Sequence, residues 1–312
     1  MSYTGPEFDP PRPRRSPLRR PAVVAVAALV PGALAGWLAY GAVGGSGDDG
    51  GSGTAAAADG GSASAAPSGP ATLRTGTPED DDAKAGTSAP LKGRVIVIDP
   101  GHNPANFRHT ADINRKVDIG TGWKECDTTG TSTNDGYTEA AFTLDVAHRL
   151  RALLEEQGAT VKLTHDADRS YGPCIDERAR IGNAAHADAV VSVHADGSGA
   201  GNRGFHVILP GTVHKGAADT RPVVGPSKAL GESIAADFAR ATGTSPSNYV
   251  GDGTGLVTRE DLGGLNLSTV PKVFIECGNM RDAKDAALLT SGAWRQKAAQ
   301  GISDGIVGFL RG

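Results

Sequence analysis

The 312-residue chain carries 31 lysines and arginines against 35 aspartates and glutamates, a formal net charge of −4. That balance gives no reason to expect a nucleic-acid partner. Composition changes sharply along the chain, and only the roughly 220 residues from Leu91 onward have the pattern of one packed domain with a sizeable core.

Residues 1–21 are rich in proline and arginine, with Arg12, Arg14, Arg15, Arg19 and Arg20 among them. Residues 22–43 contain no charged side chain. As a helix they would extend about 33 Å at roughly 1.5 Å per residue, enough for a bilayer core of about 30 Å. The arginines before this run, and Asp48 and Asp49 after it, place the N-terminus inside and the remainder outside. The length of the run favours a membrane anchor. A cleaved signal peptide is the alternative, since Ala39-Tyr-Gly-Ala42 offers small residues at suitable spacing. Residues 44–90 are nearly all Gly, Ala, Ser, Thr, Asp and Pro, too polar to order themselves. As a coil they would reach roughly 40 Å, far enough for a tethered domain to work at some distance from the membrane. The expected plan is a cytoplasmic basic tail (1–21), a transmembrane anchor or signal sequence (22–43), a disordered linker (44–90) and a folded domain (91–312).

Within the domain, Arg94-Val-Ile-Val-Ile98 reads as a central strand stopped by the turn cluster Asp99-Pro-Gly-His-Asn-Pro. Residues 103–137 read as a long polar loop, and loops of that length in a compact domain are usually functional. Thr138 is the expected N-cap of a helix running to Gly158. Strands are expected at 159–164, 189–193, 204–209 and 270–275, and helices at 176–187, 227–242 and 294–310. Alternating strands and helices predict an α/β domain with a mostly parallel central sheet flanked by helices. In an exported domain two cysteines can pair. Cys126 and Cys174, both in polar loops containing Gly or Pro, are the expected pair, and Cys277, just past an apolar run, a buried thiol.

Four polar residues stand at element boundaries: His102, Glu139, His194 and Glu276. Two imidazoles and one carboxylate form a three-ligand zinc set with an open position, and the second carboxylate is left over as a base. Singly each signal is weak. A histidine after a strand is more often a structural hydrogen-bonding residue, and a glutamate in a first helical turn more often favours the helix dipole. Asp99 and Asp196 fit turns. His109, His148, His165, His186, His206 and His214 have no comparable setting. What points to chemistry is that all four residues fall where α/β enzymes collect it. Partial burial after Val273-Phe-Ile275 would raise the pKa of Glu276 toward its working pH.

The stretches Val95-Ile-Val-Ile-Asp-Pro-Gly-His102, Gly136-Tyr-Thr-Glu139, Arg178-Ala-Arg-Ile-Gly-Asn183, Ala187 to Asp196 and Val273-Phe-Ile-Glu276-Cys-Gly-Asn279-Met resemble, in order and spacing, zinc-dependent N-acetylmuramoyl-L-alanine amidases of the type 3 family. The likeness covers about residues 92–311 and is greatest to the actinobacterial branch, with its Glu-Cys-Gly-Asn-Met and paired loop cysteines. It implies that His102, Glu139 and His194 bind one zinc ion and that Glu276 is the catalytic carboxylate. It also implies cleavage of the amide between the lactyl group of N-acetylmuramic acid and the L-alanine of peptidoglycan stem peptides. A monomer is expected, acting outside the cytoplasm as the N-terminal segments indicate. Arg259, where the family tends to carry a basic residue, and Asn279 are the expected substrate contacts. Two departures stand out: the loop 103–137 is longer than in the shortest family members, and no separate wall-binding repeat is evident. The alternatives are a zinc peptidase acting within the stem peptide and a catalytically silent wall-binding module.

Overall fold

Alternate residues of a strand point to opposite faces of its sheet, and here that alternation separates the core from the chemistry. The computed structural model describes residues 89–312. The expected basic tail, the apolar run 22–43 and all but the last two residues of the expected linker lie outside the described residues. Among the described residues no helix is long and apolar enough to cross a membrane.

In chain order the elements are β1 (Val95–Pro100), α1 (Thr110–Ile113), β2 (Lys116–Asp118), β3 (Trp123–Glu125), α2 (Glu139–Glu156), β4 (Thr160–Leu163), α3 (Ile175–Ala184), β5 (Ala189–Asp196), β6 (His206–Pro210), β7 (His214–Lys215), β8 (Ala218–Asp219), α4 (Val224–Thr242), β9 (Leu256–Arg259), α5 (Gly263–Asn266), β10 (Lys272–Asn279), α6 (Ala283–Leu289) and α7 (Gly292–Arg311). Six strands form the main sheet in the order β4-β1-β5-β10-β6-β9. β4, β1, β5 and β10 are parallel neighbours, β6 runs antiparallel to β10, and β9 lies parallel to β6 at the edge. The mostly parallel, helix-flanked sheet is the one expected.

Ile96 and Ile98 of β1, Val191 and Val193 of β5, and Val273 and Ile275 of β10 join the main core, together with Phe142 and Leu150 of α2, Leu230 and Phe238 of α4 and Ile302 of α7. Truncating one such side chain to alanine costs about 2–5 kcal/mol. The intervening residues face the other side, where Val97 and Val190 pack with Ile181 and Ala185. By the same two-residue period Asp99, Ser192, His194, Lys272, Phe274 and Glu276 lie on this second face. It is buried like the first, but toward the carboxyl ends of the strands it turns polar.

Thr138 caps α2 as expected, its hydroxyl accepting from the Ala141 N–H at 3.3 Å. α4 starts at Val224, before Ser227, because Pro226 is tolerated in a first turn, where backbone N–H groups have no helical partner. The loop 103–137 is more ordered than expected. It holds a 3-10 turn at Asn106–Arg108, α1 and the β2–β3 hairpin, and the Cys126–Cys174 disulfide pins it to the start of α3 with Cα atoms 4.3 Å apart. Cys277 is a buried free thiol. β9 and α6 were not foreseen. β9 is a four-residue edge strand with two exposed positions. α6 has seven residues, too short to show a helical stripe, although Asp282 caps it.

Candidate metal centre

β1 delivers His102 through a turn at Gly101. A Cβ at residue 101 would lie 2.4 Å from His194 Cε1, so only glycine lets the two imidazoles approach. His102 itself takes the left-handed conformation, φ 62°, which is costly for a residue with a Cβ and is characteristic of functional sites. Glu139 is the first residue of α2, and its Oε2 accepts from the Thr131 N–H at 2.9 Å. Its Oε1 stands 2.9 Å from His194 Nδ1 and 3.2 Å from His102 Nε2. One donor atom from each of the three residues lies within 4.8 Å of the others. The imidazoles meet edge to face with ring centroids 5.1 Å apart, and His194 stacks on Phe274 at 5.2 Å. Gly130 closes the far side: a Cβ there would come within 2.7 Å of His102 Cδ2 and 2.8 Å of Glu139 Oε2.

An outer set of groups aims the rings. His102 Nδ1 faces Thr128 O at 3.1 Å and Asp127 Oδ1 at 3.3 Å. His194 Nε2 lies 3.2 Å from Ser192 Oγ, which donates to Asp99 Oδ2 at 2.9 Å. When these outer nitrogens donate, the lone pairs of His102 Nε2 and His194 Nδ1 both turn toward Glu139. Such outer partners fix ligand tautomers. Arg178 bridges Asp99 and Asp127 at 2.8 and 2.9 Å, and Lys272 reaches Asp99 at 2.9 Å. Burial alone would raise the Asp99 pKa, but the charges of Lys272 and Arg178 outweigh it and hold the carboxyl far below its usual range.

The donor set fits a cation. Burial disfavours charge on His102, yet Glu139 and Asp127 outweigh it and raise its pKa to about 10. A proton thus takes up the charge deficit that a metal ion would fill. Glu139 is buried, which alone would raise its pKa, but the two histidines overcome that and lower it.

Glu276 pairs with His194 across β10 and β5. Its Oε2 is buried and has no hydrogen-bond partner. Burial first, then the nearby Glu139 and Asp196, push its pKa well above the ordinary carboxylate value. His102, Glu139, His194 and Glu276 line one cleft of ≈ 360 Å³, with Arg259 at its edge. The structure therefore gathers all four residues read from the sequence. The two expected substrate contacts differ. Arg259 lines the cleft, but Asp261 holds its guanidinium in a bidentate pair at 2.6 and 2.7 Å. Asn279 is fully buried and is not part of the cleft lining. Its amide donates to Ser198 O, Gly199 O and Asn202 O while its oxygen accepts from the Ser198 and Arg281 N–H groups. It shapes the loop after β5 and has nothing left for a ligand. Sequence reasoning missed the roles of Asp127, Ser192 and Lys272. Tyr249 was missed as well; its hydroxyl donates to Asp196 at 2.7 Å beside the cleft. Lys272 left one signal, a charge inside an apolar strand.

A helix-flanked α/β sheet that gathers two imidazoles and an unpartnered carboxylate at its strand ends, with a second carboxylate from a helix start, defines a hydrolase with a candidate metal centre. The N-acetylmuramoyl-L-alanine amidase family matches residues 96–307, and the chain belongs to that family. It is 43% identical over 236 residues to N-acetylmuramoyl-L-alanine amidase Rv3717 of Mycobacterium tuberculosis, covering 75% of this chain and 93% of that protein. Among solved structures it is similar to the N-acetylmuramyl-L-alanine amidase Ami1 of Mycobacterium smegmatis, with TM-score 0.65, 41% identity and coverage of 70% of this chain and 98% of that one. The apo form of Ami1 from Mycobacterium abscessus matches with the same TM-score and identity, over 70% of this chain and 100% of the other.

Proposed function

We propose that the protein hydrolyses the amide between the lactyl group of N-acetylmuramic acid and the L-alanine of peptidoglycan stem peptides, with one zinc ion held by His102, Glu139 and His194. Family membership supports the reaction. Zinc is supported by the donor set, since calcium and magnesium prefer oxygen-only shells. Bound there, zinc supplies Lewis acidity to the amide carbonyl and to water. The rest is done by the chain's own residues. Glu276 accepts the proton of the attacking water and returns it to the alanine nitrogen as the C–N bond breaks. Its raised pKa suits a group that must both take and give a proton. Asp127 and the Ser192–Asp99 pair hold the imidazoles in register. Arg259 contacts a peptide carboxylate only by sharing its guanidinium with Asp261.

One observation carries this reading: a buried carboxylate oxygen without a partner, in the same cleft as the His–Glu–His cluster. Zinc analysis and mass spectrometry of digested cell wall, on wild type and Glu276→Ala together, test it. Both proteins should hold about one zinc per chain, and only wild type should release intact stem peptides and leave peptide-free glycan. Stem peptides shortened yet still joined to muramic acid would replace the amidase by a peptidase. Residues 22–43 export the domain as an anchor, with residues 44–90 as its tether, or as a cleaved signal. N-terminal sequencing of the exported protein distinguishes the two. The cleft residues all come from one chain, which is compatible with the monomer we propose as the active species; sedimentation checks it.

A further inference from the structure

Past a rim formed by Gly130 and Thr131 the cleft adjoins a second groove of ≈ 440 Å³, lined also by Phe107, Thr129, Ser132 and Thr138. Phe107 is 60% exposed, one of two large apolar side chains so placed among the described residues. Single exposed apolar residues are ordinary, but this one is presented by a fixed turn. Its neighbour Asn106 is fully buried, donates to Thr128 O at 2.7 Å and accepts from the Gly172 N–H at 2.9 Å. The Arg108 guanidinium stands over the Phe107 ring at 5.1 Å from its centroid. An aromatic ring on a fixed turn beside threonine and serine hydroxyls matches a pyranose. The sugar's C–H face packs on the electron-rich ring face, and its hydroxyls exchange hydrogen bonds with side chains that both donate and accept. The cleft has a different edge at Leu262 and Arg259, where Asp261 and Lys124 add charge. That edge suits a charged peptide.

We propose that the Phe107 groove binds the glycan strand of the substrate, so that sugar leaves the reaction centre over Gly130 and Thr131 and the stem peptide leaves on the Arg259 side. The proposal deepens the amidase reading and rests on it. Binding of soluble, peptide-free glycan chains of alternating N-acetylglucosamine and N-acetylmuramic acid tests it without turnover. Phe107→Ala should weaken that binding by about three- to ten-fold, the size expected for losing one aromatic contact, and Phe107→Trp should restore it. In turnover, Phe107→Ala should lower kcat/KM on glycan-linked substrate by a similar factor and leave unchanged the cleavage of a minimal lactoyl dipeptide that lacks the sugar. Equal binding by wild type and Phe107→Ala, or no glycan binding by wild type, overturns the groove assignment. Equal losses on polymeric and minimal substrates overturn it too. Failure of wild type to cleave any muramoyl peptide would instead overturn the amidase reading, and the binding measurement would still judge the groove.

Discussion

His102 and Glu276 are driven in opposite directions by the same burial. Glu139 and Asp127 keep His102 protonated up to a pKa of about 10 when no metal is bound. Zinc requires a neutral imidazole, so binding at pH 7 must expel that proton. Calorimetric titration in two buffers of different ionisation heat should report about one proton released per zinc, and affinity should fall about tenfold per pH unit on acidification. A titration without proton release would contradict this. Glu276 also has its folded pKa raised, above the unfolded value of about 4.3, but there burial is the main cause. Its contribution to stability is complete below that value and is lost as pH rises toward the folded pKa, so at neutral pH the residue destabilises the metal-free fold. Glu276→Gln should raise the thermal midpoint of metal-free protein at pH 7 by a few degrees, each ~1 kcal/mol being worth roughly 2–4 °C at this size. Turnover should fall by about 100- to 10,000-fold. An equal gain at pH 4, or none at pH 7, would count against the sign. These residues were legible in the sequence because an apolar run or a helix start framed each one. Asp99 was not, and it read as a turn residue. Its partner Lys272 is 173 positions away, and only the three-dimensional fold brings the two together.

Elements were legible where a period had room to repeat, as in α2, α4, α7 and the central strands. β2 and β3 have three residues each, and what holds them is not local. Val117 packs with Cys126, Cys174 and Ile175 in a small satellite core, and the disulfide fixes it. The pairing itself was foreseen from the polar loops around both cysteines; the ordered hairpin was not. The crosslink spans 48 positions, worth about 4 kcal/mol in the chain-entropy account. Asp127 and Thr128, which hold His102, follow Cys126 directly. Replacing both cysteines by serine should therefore lower the thermal midpoint and also weaken zinc binding. A competitive chelator titration reads the second effect, and unchanged affinity would show that the outer contacts survive without the crosslink.

Across the whole molecule the sheet divides labour: one face is a continuous apolar core, and the other buries Asp99, Asp127, Arg178 and Lys272 as a charge network. Such a network need not be more stable than an apolar replacement of the whole set, but removing one partner strands the others at a cost of about 3–5 kcal/mol. Its pH signature follows from Asp99 and Asp127, both held far below the unfolded value of about 3.9. A depressed folded pKa means that the unfolded chain binds more protons, so the stabilisation is present above pH ~4 and drains away as pH falls below it. Melting curves of metal-free wild type should be insensitive to these groups above about pH 5 and fall steeply below about pH 4. Lys272→Met removes one of the charges that depress Asp99 while keeping a side chain of similar length in an apolar strand. It should melt lower than wild type at pH 7 and lose less on further acidification, so the two curves converge on the acid side. Curves that stay parallel from pH 7 to pH 3 would mean that Lys272 acts through packing alone and that the second face is not held by its charges.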